Sequence, residues 1–165
     1  MVSLNQAYCP SPRWFSLKKL KILWLSHLVP YPPRGFGVLQ RSHHLVREVA
    51  RYHDLYLLAF VQNKLLASTF PTVQEGLDES QRVLSEFCRH VEFVPIPSEQ
   101  HRLGVPWLAL SSLLRPDPST INWLKSRQMA DALKRLTGQV RFDLVHFDTI
   151  SLAPYLPIVD TKATV

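Results

Sequence analysis

The sequence predicts an α/β fold, in which a Rossmann-like parallel sheet carries helices on both faces. Short apolar segments alternate along the chain with longer segments in which apolar residues recur every three or four positions. The short segments are typical of strands buried on both faces, and the longer ones of amphipathic helices. Strands that alternate with helices join through right-handed crossovers, which makes neighbouring strands parallel. The length of 165 residues and the apolar fraction of 46% suit one domain with its own core.

The first predicted unit is a strand, a long loop and a helix. Residues 22–25 are almost wholly apolar and predict the first strand. Three prolines then exclude helix from the loop, and two glycines near its end permit backbone angles that other residues avoid. The helix that follows is predicted from the apolar and small residues on one of its faces, which are Leu39, Ser42, Val46, Val49 and Ala50.

A second strand is predicted at residues 54–60 and a third at residues 91–95, with a helix between them. The inner face of that helix is expected to carry Val73, Leu77, Ser80, Leu84, Phe87 and Cys88. The chain after the third strand is less regular, and its apolar residues 103–114 are compatible with a short helix.

A further helix and a fourth strand complete the repeating pattern. Ser119 or Thr120 can cap the helix, and Gly138 is expected to stop it. Residues 142–147 predict the fourth strand, and residues 150–156 a short helical turn after it. The inward face of the helix is predicted to carry Ile121, Leu124, Met129, Ala132, Leu133 and Leu136.

The two ends of the chain differ from this pattern. Residues 1–20 show no periodicity and predict a disordered extension, so the domain is expected to cover residues 21–165. Residues 163–165 read as the start of a fifth strand, which predicts a fragment, truncated there, of a larger protein.

Charge and composition bound the class of partner. The net charge of +6 favours anionic partners such as phosphates, nucleotides or anionic lipid. The basic residues are dispersed and do not form a nucleic-acid-binding module, so no nucleic-acid partner is predicted. Cys9 and Cys88 do not make a disulfide framework, which favours the cytoplasm. No apolar run approaches the ~20 residues that span a bilayer.

The loop after the first strand is the principal candidate for binding an anion. It ends at the N-terminus of a helix, where free amide groups attract phosphate. Gly35, Phe36 and Gly37 lie at that point, and Arg34 and Arg41 flank them with charges that suit a diphosphate. The alternatives are an ordinary loop that needs unusual backbone angles, and arginines that are simply solvated.

A dinucleotide site and a metal site fit the sequence less well. Gly35 and Gly37 come about ten residues after the strand, whereas a G-x-G-x-x-G fingerprint starts directly after it. The acidic residue expected at the end of the second strand is missing, since Asp54 lies at its start. His43 and His44 are adjacent on a helix and point in different directions, so no metal site is predicted.

His146 and Asp148 follow the fourth strand at the same edge of the sheet as the glycine loop. A histidine there can bind a sugar hydroxyl or act as a base. The alternative is a histidine satisfied by backbone, with Asp148 capping the next turn. An apolar segment with a basic residue at each end suggests either core packing or peripheral contact with a membrane; it comprises Arg102, Trp107, Leu108, Leu110, Leu113, Leu114 and Arg115.

Two stretches resemble the amino-terminal domain of retaining glycosyltransferases of the GT-B fold, family 4. The first is KILWLSHLVPYPPRGFGVLQRSHHLVREVARYHDLYLLAF, residues 21–60, with a K-I-L strand, a P-x-P-P stretch and a glycine loop. It includes an R-x-x-x-L helix pattern at residues 41–45 and an H-[ED]-V-x-L-like entry to the second strand at residues 53–57. The second stretch is FDLVHFDTISLAPYLP, which is similar to the family's D-V-V-H strand. The resemblance is greatest to the subgroup associated with bacterial exopolysaccharide and exosortase loci.

The resemblance implies transfer of a sugar from a nucleotide-diphosphate-sugar co-substrate to a glycan or lipid-linked acceptor, with retention and without a metal or other cofactor. In that scheme residues 34–37 and Arg41 lie near the donor diphosphate, and His146 and Asp148 belong to the acceptor side. The family usually has paired glycines where this chain has Gly35-Phe36-Gly37. A carboxyl-terminal donor-binding domain with an E-x7-E motif is expected as a partner, and the chain alone is expected to be inactive.

The expected location is the cytoplasm, with possible contact at the inner face of a membrane. Two other functions remain open. One is a non-catalytic α/β module that binds an anionic nucleotide or a membrane surface, and the other is a dinucleotide-dependent oxidoreductase domain.

Overall fold

The computed structural model describes residues 18–100 and 123–159, and its centre is a sheet of four parallel strands. The strands are β1 (Lys21–Ser26), β2 (Asp54–Val61), β3 (His90–Pro95) and β4 (Leu144–Phe147). Their order across the sheet is β3-β2-β1-β4. The Rossmann-like α/β fold predicted from the sequence is confirmed.

Helices connect the strands. α1 (Gly37–Tyr52) joins β1 to β2, and α2 (Asn63–Ala67) and α3 (Val73–Ser85) join β2 to β3. α4 (Pro97–Gln100) follows β3, and α5 (Arg127–Gln139) precedes β4. A 3₁₀ helix (Ile150–Ile158) follows β4.

The sheet is covered on both faces because successive strand residues point to opposite sides. One face packs against α5, and its buried core includes Leu23, Leu25, Leu58, Phe60, Met129 and Leu133. The other face packs against α1 and α3, and its core includes Ile22, Trp24, Leu55, Leu57, Val46 and Leu84. Burial on both sides is the physical reason that β1 and β2 are nearly continuous apolar runs.

The helix predictions are confirmed in part. α1 buries Leu39, Ser42 and Val46 as predicted, and also His43, which periodicity alone did not place inside. α3 ends at Ser85, so Phe87 and Cys88 follow the helix although both contribute to the core. α2 was not predicted, because its five residues are too few to show a period.

The predicted stop of α5 at Gly138 is wrong. Gly138 lies inside the helix, which continues to Gln139 and ends at an extended Val140. A glycine ends a helix when the chain needs a left-handed conformation there, and Gly138 does not adopt one. The observed N-cap is Ser126, whose hydroxyl accepts from the Met129 amide at 3.4 Å. Ser119 and Thr120 lie outside the described residues.

The amino-terminal boundary lies slightly earlier than the sequence indicated. Leu20 packs against the core, its carbonyl accepts from the Asp54 amide at 2.8 Å, and Lys19 pairs with Asp54 at 2.9 Å. The fifth strand expected at residues 163–165 and the apolar segment at residues 103–114 lie outside the described residues. No helix in the described ranges combines the length and apolar character needed to cross a bilayer.

Two helical glycines provide a matched test of packing. A Cβ on Gly76 would lie 2.8 Å from the Phe70 ring, whereas a Cβ on Gly138 would have no neighbour within 4 Å. We expect Gly138→Ala to raise the free energy of unfolding by about 0.5–1 kcal/mol through helix propensity. Gly76→Ala should lower the free energy of unfolding. The clash with Phe70 costs about 1–3 kcal/mol, which exceeds the gain from helix propensity. Urea unfolding of both variants measures the difference. Equal stabilisation by both would contradict this account of the α3 packing.

Candidate functional site at the carboxyl edge of the sheet

The strand order identifies the part of the sheet edge where ligands bind in open α/β folds. Along the chain, β1, β2 and β3 progress in one direction, and β4 then returns to the other side of β1. The order therefore reverses between β1 and β4, and the connections after these strands diverge to leave a crevice at their carboxyl ends. The residues that follow β1 and β4 are His27 and Asp148.

The loop after β1 delivers the chain to the uncapped N-terminus of α1. Gly35 has a φ of +84°, a conformation that side chains other than glycine rarely adopt. Phe36 is the extended N-cap residue, and no side chain caps the helix. The first turn holds no acidic residue, and no described residue beyond the neighbours of Gly37 and the α1 backbone lies within 4 Å of where a Cβ on Gly37 would be. This helix end is therefore open and electrostatically suited to an anion.

Arg34 and Arg41 are both exposed beside this helix end. The Arg41 charge reaches His146, whose pKa is lowered mainly by burial and further by Arg41, with Asp148 opposing the shift. Within the described residues, neither arginine forms an ion pair. Arg34 and the residues 35–37 make no hydrogen bond there to His146 or Asp148. The structure thus brings Arg41 near the end of β4 but leaves the glycine loop as a separate part of the site.

Asp148 is the centre of a polar cluster under α1. Its side chain is only 5% exposed, and its Oδ2 accepts from Ser26 Oγ at 3.1 Å and from Ser42 Oγ at 3.2 Å. Its amide donates to the Leu25 carbonyl at 3.0 Å, which continues the pairing of β4 with β1. Asp148 therefore joins the ends of two strands to the second turn of α1.

The interpretation of Asp148 as a cap for the following turn is wrong. The N-cap residue of the 3₁₀ helix is Thr149, and no side chain caps it. The carboxylate points instead at the two serines, because the parallel pairing of β4 with β1 turns it towards α1.

His27 completes the cluster, although the sequence did not identify it as a site residue. Its Nδ1 lies 3.4 Å from Asp148 Oδ2, too long or misaligned for a formed hydrogen bond, and has no other partner among the described residues. The side chain is 20% exposed. The Gln62 amide donates to the His27 carbonyl at 2.9 Å and fixes the backbone there. The sequence did contain an indication of this role, since His27 is the first residue after a buried strand, where ligands bind in open α/β sheets.

The pKa of Asp148 is lowered despite its burial. Burial alone would raise it, because a carboxylate loses hydration. The approach of His27, together with the Ser26 and Ser42 hydroxyls, more than offsets that cost. Asp148 therefore remains an anion inside the fold.

His146 packs on Trp24 rather than on backbone groups. The two residues are register partners of β4 and β1, with ring centroids 3.9 Å apart. No hydrogen bond reaches the His146 ring from the described residues, so the alternative of a backbone-satisfied histidine is not observed. Trp24 Nε1 and Thr149 Oγ1 are buried and have no hydrogen-bond partner among the described residues. Unpaired buried groups are uncommon, and a ligand or water at the site would satisfy them.

Other candidate residues have structural roles. His43 is buried, and its Nδ1 lies 2.9 Å from the Pro30 carbonyl, which ties α1 to the loop. Burial is also the main cause of its lowered pKa, and raises the pKa of Cys88 to about 12. Within the described ranges, no three histidine, cysteine or acidic side chains are grouped to hold a metal ion. The absence of a metal site from the mechanism stays a prediction.

The opposite edge of the sheet holds a depression lined by charged residues of both signs. It has a volume of about 780 Å³, and its lining mixes the basic Lys19, Arg47, Arg51 and Arg89 with the acidic Glu48, Asp54 and Glu86. Asp54 lies there and pairs with Lys19 and with Arg89 at 2.8 Å. Because this edge is at the amino ends of the strands, the depression is remote from the crevice beside β1 and β4.

Comparisons with known proteins give no relative. No protein-family model matches the chain, and no significant match was found among curated proteins or solved structures.

The buried carboxylate leads to a prediction about acid stability. We expect Asp148→Asn to lower the free energy of unfolding at pH 7 by about 1–3 kcal/mol, since it weakens charge-assisted hydrogen bonds. The pKa of Asp148 is lower in the folded chain than in the unfolded chain. Its stabilisation is therefore present above about pH 4, the unfolded value, and is lost as the pH falls through the folded value.

Chemical denaturation from pH 7 to pH 3 measures this effect. The difference between the wild-type chain and Asp148→Asn should shrink below about pH 4. The exposed Asp131 on α5 supplies the control, and Asp131→Asn should change stability by less than about 0.5 kcal/mol. A difference between wild type and Asp148→Asn that does not vary with pH would contradict an ionised Asp148.

Proposed function

We propose that this chain is the acceptor-side domain of a glycosyltransferase with a GT-B-like architecture. It would contribute to transfer of a sugar from a nucleotide-diphosphate-sugar to a glycan or lipid-linked acceptor in exopolysaccharide or cell-envelope synthesis. The observation that carries the proposal is the open N-terminus of α1 beside the Asp148 cluster, where the strand order reverses. The family-4-like motifs at residues 21–60 and 142–157 support the same assignment.

The diphosphate part of the proposal depends on electrostatics. The first-turn amides of α1 carry the positive end of the helix dipole, and the first turn itself contains no acidic side chain. Arg34 and Arg41 are exposed on either side and can bind phosphate oxygens in a bidentate manner. Gly37 leaves space for a ligand to approach the backbone closely.

The acceptor part of the proposal depends on the polar side chains of Asp148 and His146, at the carboxyl end of β4. Asp148 keeps its negative charge, so it can accept a hydrogen bond from a sugar hydroxyl. Its Oδ2 already receives the two serine hydroxyls, and no residue that the structure describes donates to Oδ1, the atom we propose for the ligand. His146 adds an imidazole ring whose nitrogens form no hydrogen bond with any described residue.

An oxidoreductase is less compatible with this geometry. A dinucleotide site needs an acidic residue at the carboxyl end of β2 to bind the ribose hydroxyls. Gln62 stands there and donates to the His27 carbonyl, whereas Asp54 lies at the opposite end of β2.

Transfer requires a donor-binding domain, which the proposal places elsewhere in a larger protein. Reading the coding sequence beyond codon 165 tests this directly. An in-frame α/β domain with an E-x7-E pattern would support the proposal, and an unrelated reading frame would favour a solitary binding module. The proposal locates the enzyme in the cytoplasm, where nucleotide-sugars are found, near the inner face of the membrane.

The diphosphate site predicts a specific loss of affinity in the chain itself. With uridine and guanosine diphosphates as probes, Arg41→Ala should weaken binding roughly tenfold, as expected for one charge-assisted hydrogen bond. Gly37→Val should also weaken binding, because its side chain would cover the first-turn amides. It should leave the fold intact, because nothing lies within 4 Å of that position. Calorimetric titration and circular dichroism measure the two effects.

Arg127→Ala is the matched control, since it removes an exposed positive charge at the start of α5. It should leave diphosphate affinity nearly unchanged. Equal losses for Arg41→Ala and Arg127→Ala would indicate general charge attraction only. In the complete enzyme, normal transfer by Gly37→Val would show that the glycine loop is only structural.

A second candidate function is a non-catalytic module that binds an anionic surface. Phe36 is 58% exposed and Val38 is 52% exposed, and both lie between the exposed Arg34 and Arg41. Apolar side chains next to basic ones are typical of surfaces that contact anionic membranes.

This second function predicts salt-sensitive binding to lipid. The chain should sediment with vesicles of phosphatidylglycerol and phosphatidylcholine, but not with phosphatidylcholine alone, and high salt should release it. Phe36→Ser should reduce binding by about ten- to a hundredfold, from the ~1.5–3 kcal/mol of burying a phenylalanine. Tyr52→Ser, at the other end of α1, removes an equally exposed aromatic side chain and should have little effect. No sedimentation with either vesicle would exclude this function.

A further inference from the structure

We propose that the outer face of α1 is an interface at which two copies of this chain pair, with their α1 helices side by side and antiparallel. The inference goes beyond the proposed transfer and does not depend on it. It rests on a row of exposed apolar side chains, on the charges beside that row, and on the way both patterns match themselves when one helix is turned end to end.

The outer face of α1 carries an apolar row that does not belong to the core. Val38, Leu45 and Tyr52 are 52%, 40% and 59% exposed. They recur every seven residues, so they lie in line on one side of the helix, about 10.5 Å apart along its axis. α1 buries Leu39 and Val46 on another face. The helix therefore has one apolar face packed inside the fold and a second, narrower one in contact with solvent.

Two exposed charges of opposite sign lie beside the apolar row. Arg41 stands four positions before Leu45, and Glu48 stands three positions after it, so both side chains neighbour Leu45 on the helix surface. Arg41 forms no ion pair within the described residues. Glu48 pairs with Arg51 at 2.9 Å, and its side chain is still 56% exposed, so its carboxylate can accept further hydrogen bonds. The row thus has a positive charge in its first half and a negative charge in its second half.

A two-fold axis through Leu45 makes this face complementary to itself. Val38 and Tyr52 each lie seven positions from Leu45, so they come level with each other across an antiparallel pair of helices. Arg41 then comes within one residue, about 1.5 Å along the axis, of Glu48 in the second copy, and two such ion pairs form. A parallel pair would instead place Arg41 against Arg41. The charges therefore select a second, antiparallel copy of the same chain.

The ends of α1 favour the same arrangement. The N-terminus of α1 has no side-chain cap, and its first turn holds no acidic residue. An antiparallel second copy brings the C-terminal end of its own α1, which is the negative end of the helix dipole, beside this positive end. Helix dipoles, ion pairs and apolar contacts thus all favour one orientation.

The size of the interface sets the expected affinity. Each copy contributes three apolar side chains, and the pair shares two ion pairs, which is less than the ~1,200 Å² that stable complexes bury. We therefore expect a reversible dimer with a dissociation constant on the order of 100 μM.

Sedimentation equilibrium of the 165-residue chain tests the dimer. Between about 10 μM and about 1 mM, the average mass should rise from that of one chain towards that of two. Leu45→Glu places like charges together at the two-fold axis and should weaken association at least about tenfold. Leu156→Glu is the matched control, because Leu156 is a similarly exposed leucine (43%) on the 3₁₀ helix. It should leave association unchanged.

Two outcomes of this experiment would overturn the inference. One is a chain that stays monomeric at every concentration, including one that instead sediments with anionic vesicles, which would assign the apolar row to a lipid surface. The other is an equal loss of association in Leu45→Glu and Leu156→Glu. Circular dichroism of each variant shows that the helices are retained.

Charge reversal tests the antiparallel orientation. Arg41→Glu and Glu48→Arg each replace two attractive pairs with two repulsive ones, and each alone should weaken the dimer by about tenfold or more. The double variant should bind to within about threefold of the wild-type value, since its charges are again complementary. An equimolar mixture of the two single variants should form a mixed dimer for the same reason. A double variant that associates no better than the single variants would contradict the antiparallel pairing.

Two exposed aromatic residues separate this interface from a membrane surface. Tyr52→Ser removes one end of the apolar row and should weaken self-association about tenfold, as expected for an aromatic side chain at an interface. Phe36 is just as exposed but lies outside the seven-residue row, so Phe36→Ser should leave self-association nearly unchanged. The opposite result, with Phe36 required and Tyr52 dispensable, would overturn the inference.

Discussion

The parallel pairing of β1 on both of its sides positions the polar groups at the carboxyl ends of β1 and β4. β1 pairs with β2 from Lys21 to Ser26 and with β4 from Ile22 to Leu25. This register brings the end of β4 level with the end of β1, and the Asp148 amide extends the pairing to the Leu25 carbonyl. A shift of one residue in this register would turn the side chain of Asp148 to the face covered by α5, away from Ser42. The site is therefore a product of sheet register more than of loop conformation.

On the sheet face that α1 covers, the side chains of β1 change from apolar to polar towards its carboxyl end. Ile22 and Trp24 pack in the core, and Ser26, the next residue on the same face, donates to Asp148 instead. Burying this polar group is tolerable because each serine hydroxyl has a charged acceptor. In the part of the chain that the structure describes, Trp24 Nε1 and Thr149 Oγ1 are left without hydrogen-bond partners. A water molecule or a ligand at this place would satisfy both groups.

The fold could be predicted from the sequence because burial on both faces leaves an unbroken apolar signal in β1 and β2. The amphipathic helices were predictable for the same reason, since their periodicity records which face is buried. Gly138 was misread because a glycine near a helix end indicates a stop only when the backbone needs a positive φ, and sequence does not show that. The sequence could place Asp148 at the right edge of the sheet, but not its partners. Ser42 and His27 lie 106 and 121 positions away, and only tertiary packing brings them together.

Ser42 links the two parts of the site, the N-terminus of α1 and the Asp148 cluster. Its hydroxyl connects α1, whose N-terminus is open to anions, with Asp148 at the end of β4. A ligand that shifts the first turns of α1 must stretch or break this bond, and a ligand that engages Asp148 must compete with it. The two occupancies are therefore thermodynamically linked, and linkage is reciprocal, so each ligand would alter the affinity of the other by the same factor. One shared hydrogen bond is enough to couple the affinities of two ligands that bind at these two places.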